Sequence, residues 1–594
     1  MTQSVRSPAS DLVTVEILAG GRAISDSLMV REVSVDRLLN RLPEARIVIE
    51  DGDPSQETFK ASESSDFAPG KEIEVKLGYH AKNVSVFKGI ILRQALEVDE
   101  IGASALTLVC GDKAAALTVA RGAKVFIDST DSAAMSALIS AAGLSADVSS
   151  TSGSHPHLAQ ANATAWDFIL ARAEINGMVV DVAGGKVRVA KPDFSSAEYD
   201  VLFGESLIAI SLELDAPSQL GGVKALSWSA KEQETVEASG SDPSVNSQGN
   251  ISGTKLAEVL GVKDFGLQTP DPVEDAALKT WADAQLLKSR LARFRGWISF
   301  PGNAAIVPGK ALKLQGLGAR FDGEAYVAGV RHRASGGTWV TEARFGLDRK
   351  WFTDTHRDAT MAPASARLPG ATGLQIAKVV QVNGDPESAG RIKVSFPLLP
   401  GSEGLWVRVA QPYASEEIGI TFLPEVGDEL VVGFLGGDPN APVMLGALHS
   451  AKRKPAFTPE ETNAEKSIVT RSRLSISFDD EKKVLTVKTP GGHSITLSDE
   501  EKSIEVADSN GNTLKMAESG MSLSTPADMT ISATGSVSIS GDAGVSIDTP
   551  ADVSVSGGVV SISAETEFSA DGAASASVTS AGELSITGSL VMIN

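Results

Sequence analysis

The chain is 594 residues long, several times the usual domain length, so two to four domains are expected. Its 53 Lys and Arg against 75 Asp and Glu leave a formal charge of −22, a surface that repels nucleic acid and anionic lipid at long range. A single cysteine, Cys110, excludes an intrachain disulfide framework and, in the run LTLVCGD, reads as a small buried hydrophobe, while 5% aromatics point to turn-rich β structure.

The opening stretch MTQSVRSPASDLVTVEIL has no basic segment followed by an apolar core, and nowhere do 18 consecutive apolar residues occur. Synthesis and assembly in the cytoplasm without a signal peptide are therefore expected. Residues 1–352 mix strands such as KEIEVKLGYH and SVFKGIILRQALEV with a few helices, which predicts an α+β region built on β-barrels. A helix is predicted from Asp131 to Leu144 with Gly143 at its end. A second lies in TAWDFILARAEING, capped by Thr164 and stopped by Gly177. A third runs from about Val273 to Phe294, where Leu278, Trp281, Gln285 and Leu286 follow helical spacing.

Residues 353–372 lack periodicity, carry Pro363, Pro369 and Gly370, and read as a linker. Residues 373–450 hold five short alternating segments, LQIAKVVQV, RIKVSFPLL, LWVRVAQP, DELVVGFL and PVMLGAL, joined by turns such as NGDPESAG; this fits a small closed barrel of the OB type. A basic joint at 451–464 follows, and 465–594 is β throughout.

From Met521 the chain repeats with a period of eight: MSLSTPAD, MTISATGS, VSISGDAG, VSIDTPAD, then a seven-residue VSVSGGV, then VSISAETE, FSADGAAS, ASVTSAGE and LSITGSLV. The first and third positions are mostly apolar, the second and fourth small and polar, and a Gly, Pro, Asp or Ala corner closes the unit. One such turn cannot enclose a core. Either three chains wrap about one axis, or one chain coils alone with three units per turn, and periodicity leaves both open. This stretch carries no Lys or Arg, eight Asp or Glu and a single aromatic, Phe568, so the shaft is expected to be slim and acidic.

The arrangement resembles the VgrG proteins of type VI secretion and the hub-spike proteins of phage tails and extracellular contractile injection systems. The residues that carry the resemblance are GLWVRVAQPYA from Gly404 to Ala414, FLPEVGDELVVGFLGGDPNAPVMLGAL from Phe422 to Leu448, the hub-like run from Gln160 to Pro192, and HSITLSDEEKSIEVADSNGNTLKM from His493 to Met516, with Asn510-Gly511 as a hairpin turn. The family pattern closes the barrel with Tyr-Asn, where this chain has His449 and Ser450. The resemblance implies a homotrimer with tail-hub barrels in pairs, an OB-fold barrel and a C-terminal triple-stranded β-helix or β-prism. It also implies inner tube and baseplate proteins at the hub, a PAAR-type tip protein at the C-terminus, the target cell envelope as the object pierced, and residence in a phage-like or secreted particle.

No catalytic, cofactor-binding or metal site is assigned. HExxH, CxxC and G-x-S-x-G are absent, and the phosphate-loop likeness of Gly302 to Lys310 fails on spacing, with Ala311 in the hydroxyl position. His155 and His157 lack a third ligand and read as an exposed loop, Asp528, Asp548 and Asp552 as solvated corners. Lys452, Arg453 and Lys454 raise oligonucleotide binding by an OB-fold, but Trp406, Tyr413, Phe422 and Phe434 are expected to serve the barrel core rather than to stack bases. With few residues between Leu448 and the next β segment and after the repeats, no added enzyme domain is expected in this chain. The function expected is mechanical and non-enzymatic. The rivals are a polysaccharide-binding or polysaccharide-degrading tailspike, disfavoured by the single shaft aromatic, and a monomeric β-solenoid adhesin.

Overall fold

In the computed structural model the described residues are 2–6, 11–270, 272–356, 359, 361–398 and 404–593. The protein is mainly β and divides into two compact units, one ending at Leu448 and the other beginning at His449. Parts of the 353–372 segment, of the loop before Leu405 and the final Asn594 lie outside the described residues.

The first unit is dominated by a branched 14-stranded sheet. Its N-terminal half buries apolar side chains at every second position: Ile73, Val75 and Leu77 in Glu72–Tyr79, Ala45, Ile47 and Ile49 in Glu44–Glu50, and Leu106, Leu108 and Cys110 in Ser104–Gly111, where Thr107 is buried as well. Period-2 burial of this kind pins the register, because a slip of one residue would turn every apolar group outward. A second apolar cluster, around Val201, Ile298, Phe300, Leu312, Leu314 and Phe345, also takes in Val5 from the N-terminal segment. SVFKGIILRQALEV belongs to one strand, Lys82–Val98, whose pairing shifts by a bulge between Ile91 and Arg93.

The three predicted helices form at Asp131–Ala141, Ala165–Ile175 and Asp275–Leu291. Thr130 Oγ1 accepts from the Ala133 amide at 3.1 Å and Thr164 Oγ1 from the Asp167 amide at 3.0 Å, satisfying donors that a helix N-terminus leaves open. Gly143 and Gly177 follow the ends with φ of +73° and +64°, the left-handed conformation that glycine adopts without penalty. The first two helices are riveted through buried Asp131, which receives Arg172 Nε and Nη2 at 2.6 and 2.9 Å and Asn176 Nδ2 at 2.8 Å. Burial works against the Asp131 charge, and Arg172 and Asn176 more than offset it, leaving the carboxyl below its ordinary range.

The five segments expected between 373 and 450 close into a barrel in the order Gln375–Gln381, Ile392–Ser395, Leu405–Val409, Pro442–Leu448 and Glu429–Phe434. Ala377, Val379, Ile392, Val394, Val407, Leu430 and Val432 fill it. In the NGDPESAG loop the Asp385 carboxylate accepts from the amides of Glu387, Ala389 and Arg391 and from the Arg391 guanidinium at 2.7 Å, which holds it well below the usual carboxylate range. In the 353–372 segment, Pro363–Ala366 forms a short 3-10 turn with Ala364 buried.

The second unit begins with an antiparallel meander of seven strands from Glu465–Val469 to Gly520–Ser524. Asn510-Gly511 makes the expected turn: Asp508 accepts from the Asn510 and Asn512 amides, each at 2.9 Å, and from Asn512 Nδ2 at 2.8 Å. These bonds, Asn512 foremost, bring its carboxyl down to about 2. None of the described residues after Ser524 lies in a strand.

Candidate assembly surface

The register of the meander lines up a continuous apolar row across the whole sheet: Ile468, Ile476, Val487, Ile495, Val506, Leu514 and Leu523 are successive cross-strand partners. A second row, Phe478, Leu485, Leu497, Ile504, Met516 and Met521, runs two residues away and so shares the face. Between them, on the opposite face, lies the polar row Ser467, Ser477, Thr486, Thr496, Glu505, Lys515 and Ser522.

Among the described residues of the second unit, none covers the apolar face. Ile468, Ile495 and Phe478 remain more than 40% exposed, and none of the six clusters of buried apolar side chains contains a residue beyond Met444. Among the described residues of the second unit only Ser498 is buried. Cross-strand pairs of large aliphatic groups stabilise a sheet when another layer excludes water from them, and a single layer that leaves two such rows bare is incomplete. The octads continue the theme. Ile531, Ile539, Ile547 and Ile562, each in the third position of its octad, are exposed in the single chain, as are Leu590, Val591, Met592 and Ile593. The corners TPAD at Thr525 and Thr549 have the same local geometry, with each Thr Oγ1 accepting from the Ala amide two residues on at 3.1 Å.

The aromatic residues of the barrel divide. Phe434 packs on the core and stacks on Phe396 at 5.9 Å, whereas Tyr413 and Phe422 are exposed in the long connection between Leu405–Val409 and Glu429–Phe434, together with Ile418, Ile420 and Val426. The expectation of core roles thus fails for Tyr413 and Phe422: they fall outside the ladder, where alternation has no hold on them. Trp406 is half-buried in its strand, and Lys452, Arg453 and Lys454 are exposed.

Cys110 is fully buried, and burial pushes its thiol up to about 12. His155 and His157 are corrected from a loop to a strand, His155–Thr164, antiparallel to Arg121–Ser129. His155 Nε2 lies 3.3 Å from Asp131, while His157 is exposed. Gly302 owes its identity to packing, because a Cβ there would sit 1.9 Å from the Trp339 ring. Among the described residues no three His, Cys, Asp or Glu side chains converge as a metal site, and no helix is long and apolar enough to cross a membrane.

Residues 9–336, more than half of the chain, match the family described as the Alg8 N-terminal domain. The chain belongs to this family. Residues 375–449, the closed barrel, match the type VI secretion system/phage-baseplate injector OB domain. The chain is also VgrG-like. It is 37% identical over 101 residues to the type VI secretion system spike protein VgrG3 of Vibrio cholerae, covering 16% of this chain and 10% of that protein. It is 34% identical over 110 residues to the spike protein VgrG2a of Pseudomonas aeruginosa, covering 17% and 13%. The chain thus spans about a tenth of the length of the curated relatives it matches. Among solved structures, the 43 kDa tail protein of prophage MuSo2 from Shewanella oneidensis is similar at 12% identity and a TM-score of 0.45, over 57% of this chain and 98% of that one. An Escherichia coli component of the type VI secretion system is similar at 13% identity and a TM-score of 0.35, over 73% and 100%.

Proposed function

We propose that the chain is the hub and spike subunit of a contractile, phage-tail-like injection machine, and that it works as a homotrimer. The observation that carries this reading is the sheet of the second unit, whose two apolar rows occupy one face and have no cover among the described residues of that unit. Three copies related by a threefold axis would turn these faces toward one another and create the missing core, and the octads after Ser524 would continue the same axis as a triple-stranded β-helix or β-prism. A monomeric solenoid would instead stack successive octads in a ladder within one chain, and the described residues 525–593 contain no such ladder. The match of the barrel to an injector OB domain supports the placement in such a machine.

In this reading paired barrels in the hub present a pseudo-sixfold surface to tube and baseplate proteins. The shaft concentrates force on the target envelope, and a PAAR-type tip protein covers the exposed apolar stretch Leu590 to Ile593. The subunit is assembled in the cytoplasm and acts in a phage-like or secreted particle. The role is mechanical, and no residue is assigned a chemical step. Electron microscopy of the purified chain tests it: a threefold-symmetric particle with a tapering shaft is expected, and single copies with separate, unpaired C-terminal segments would refute the proposal.

A further inference from the structure

Eight buried side-chain nitrogen or oxygen atoms among the described residues have no hydrogen-bond partner in the protein, and four of them belong to residues around a single small, partly open chamber. They are Asn246 Oδ1, Gln248 Nε2, Arg290 Nη2 and the Tyr326 hydroxyl. The chamber has a volume of about 30 Å³ and walls of Phe194, Leu291, Phe294 and Phe345. Its polar residues come from three elements distant in sequence: the segment before Ser252, the last turn of the helix Asp275–Leu291, and the strand Gly323–Ser335. Asn246, Gln248 and Arg290 are each more than nine-tenths buried, so bulk solvent does not satisfy them.

Two of these side chains are otherwise committed. Arg290 Nε donates to Asp242 at 2.6 Å and Nη1 to the Leu220 carbonyl at 3.0 Å, which leaves Nη2 buried without a partner in the protein. Asn246 Nδ2 donates to the Phe194 and Ser195 carbonyls at 3.1 and 3.4 Å. Flipping that amide would set oxygen against two carbonyl oxygens, so Oδ1 is fixed as an acceptor. The chamber therefore offers one fixed donor, one fixed acceptor, and an amide and a hydroxyl that can each serve as either. That set complements one water molecule, which accepts two hydrogen bonds and donates two. A water needs about 10–15 Å³ of such space and two to four polar partners, and the chamber meets both conditions. A halide would also be drawn to Arg290 and to Arg293, which lines the same space, but Arg293 is already committed to the Ile251 and Gln248 carbonyls at 3.2 and 3.0 Å, and the halide would meet Asn246 Oδ1 and the Glu324 carboxylate.

We infer that this chamber is a built site for ordered water, which joins the strap around Asn246 and Gln248 to the end of the long helix and to the hub strand carrying Tyr326. Gln248 is already tied to that strand through its bridge to Gly323, and the water completes the joint on the side-chain side. The test is a crystal structure of the full chain at a resolution that shows ordered solvent, from crystals soaked in sodium bromide. A peak without anomalous signal within hydrogen-bond reach of at least three of the four atoms is expected. An anomalous bromide peak there, or no peak, would overturn the inference. In Tyr326→Phe, which keeps the ring and loses one partner, the Gly249 amide, which donates to the Asp322 carbonyl, should lose hydrogen-exchange protection. Unchanged protection would mean that the site does not hold the strap.

Discussion

Replacing Val487 by Asp tests the apolar face of the second unit against its polar neighbour. Val487 sits in the middle of the longer row between Ile476 and Ile495, and 38% of it is exposed in the single chain. Completing its burial is worth about 1 kcal/mol per copy, given roughly 1.5–3 kcal/mol for a fully buried aliphatic side chain. The carboxylate does more than remove that gain. Enclosed by three apolar faces it would lose its water without a donor to replace it, and even an uncharged polar group in that position costs about 1–3 kcal/mol. Val487→Asp should therefore weaken each copy by several kcal/mol, on the order of 10 kcal/mol for three copies acting together. Thr486→Asp is the matched control. It adds the same charge one residue away, in the polar row between Ser477 and Thr496, and should change stability by less than about 0.5 kcal/mol. The readout is the fraction of assembled protein surviving heat or mild detergent, followed by native electrophoresis and light scattering. If the two variants behave alike, whether both harmful or both silent, this face does not make the assembly.

Asp131→Ala should destabilise the hub by about 3–5 kcal/mol, because Arg172 keeps a mostly buried charge without its carboxylate; guanidinium unfolding of the full chain measures it. His332 is buried against Thr341 and Trp339, and burial, aided by Arg37, brings its pKa down to about 4 from 6.5. The unfolded chain takes up that proton near 6.5 and the folded hub only near 4, so this contribution is complete above 6.5, is lost as pH falls toward 4, and amounts to about 3 kcal/mol per copy. The difference in denaturant stability between the native chain and His332→Gln across that pH range should show the loss, and parallel curves would contradict it. Deleting Val591 to Asn594 should abolish co-purification with a PAAR-type tip protein while the trimer persists, and unchanged co-purification would refute the role given to this apolar stretch.

What the sequence made legible follows from how local each signal is. The helix at Ala165–Ile175 announces itself through Thr164 and Gly177, both within a turn of its ends, and the barrel strands through alternation that one buried face enforces. The turn after Tyr79 has no such signal, because His80 and Ala81 take positive φ in place of the usual Asn-Gly pair. The strand at His155 was missed for a related reason. HPHLAQANAT offers few apolar residues to alternate, and its pairing with Arg121–Ser129 is long-range. Tyr413 and Phe422 look like core aromatics until the barrel closes without them. The two apolar rows of the meander could be seen strand by strand, but their alignment depends on register across six turns. The chamber at Asn246, Gln248, Arg290 and Tyr326 is set by tertiary packing alone.

The trimer stands or falls on a mass. Light scattering coupled to size-exclusion chromatography, under native conditions and over a dilution series, should give three times the 61.7 kDa of the single chain with little dependence on concentration. A species of 61.7 kDa that stays folded and unaggregated with its apolar sheet face uncovered would contradict it.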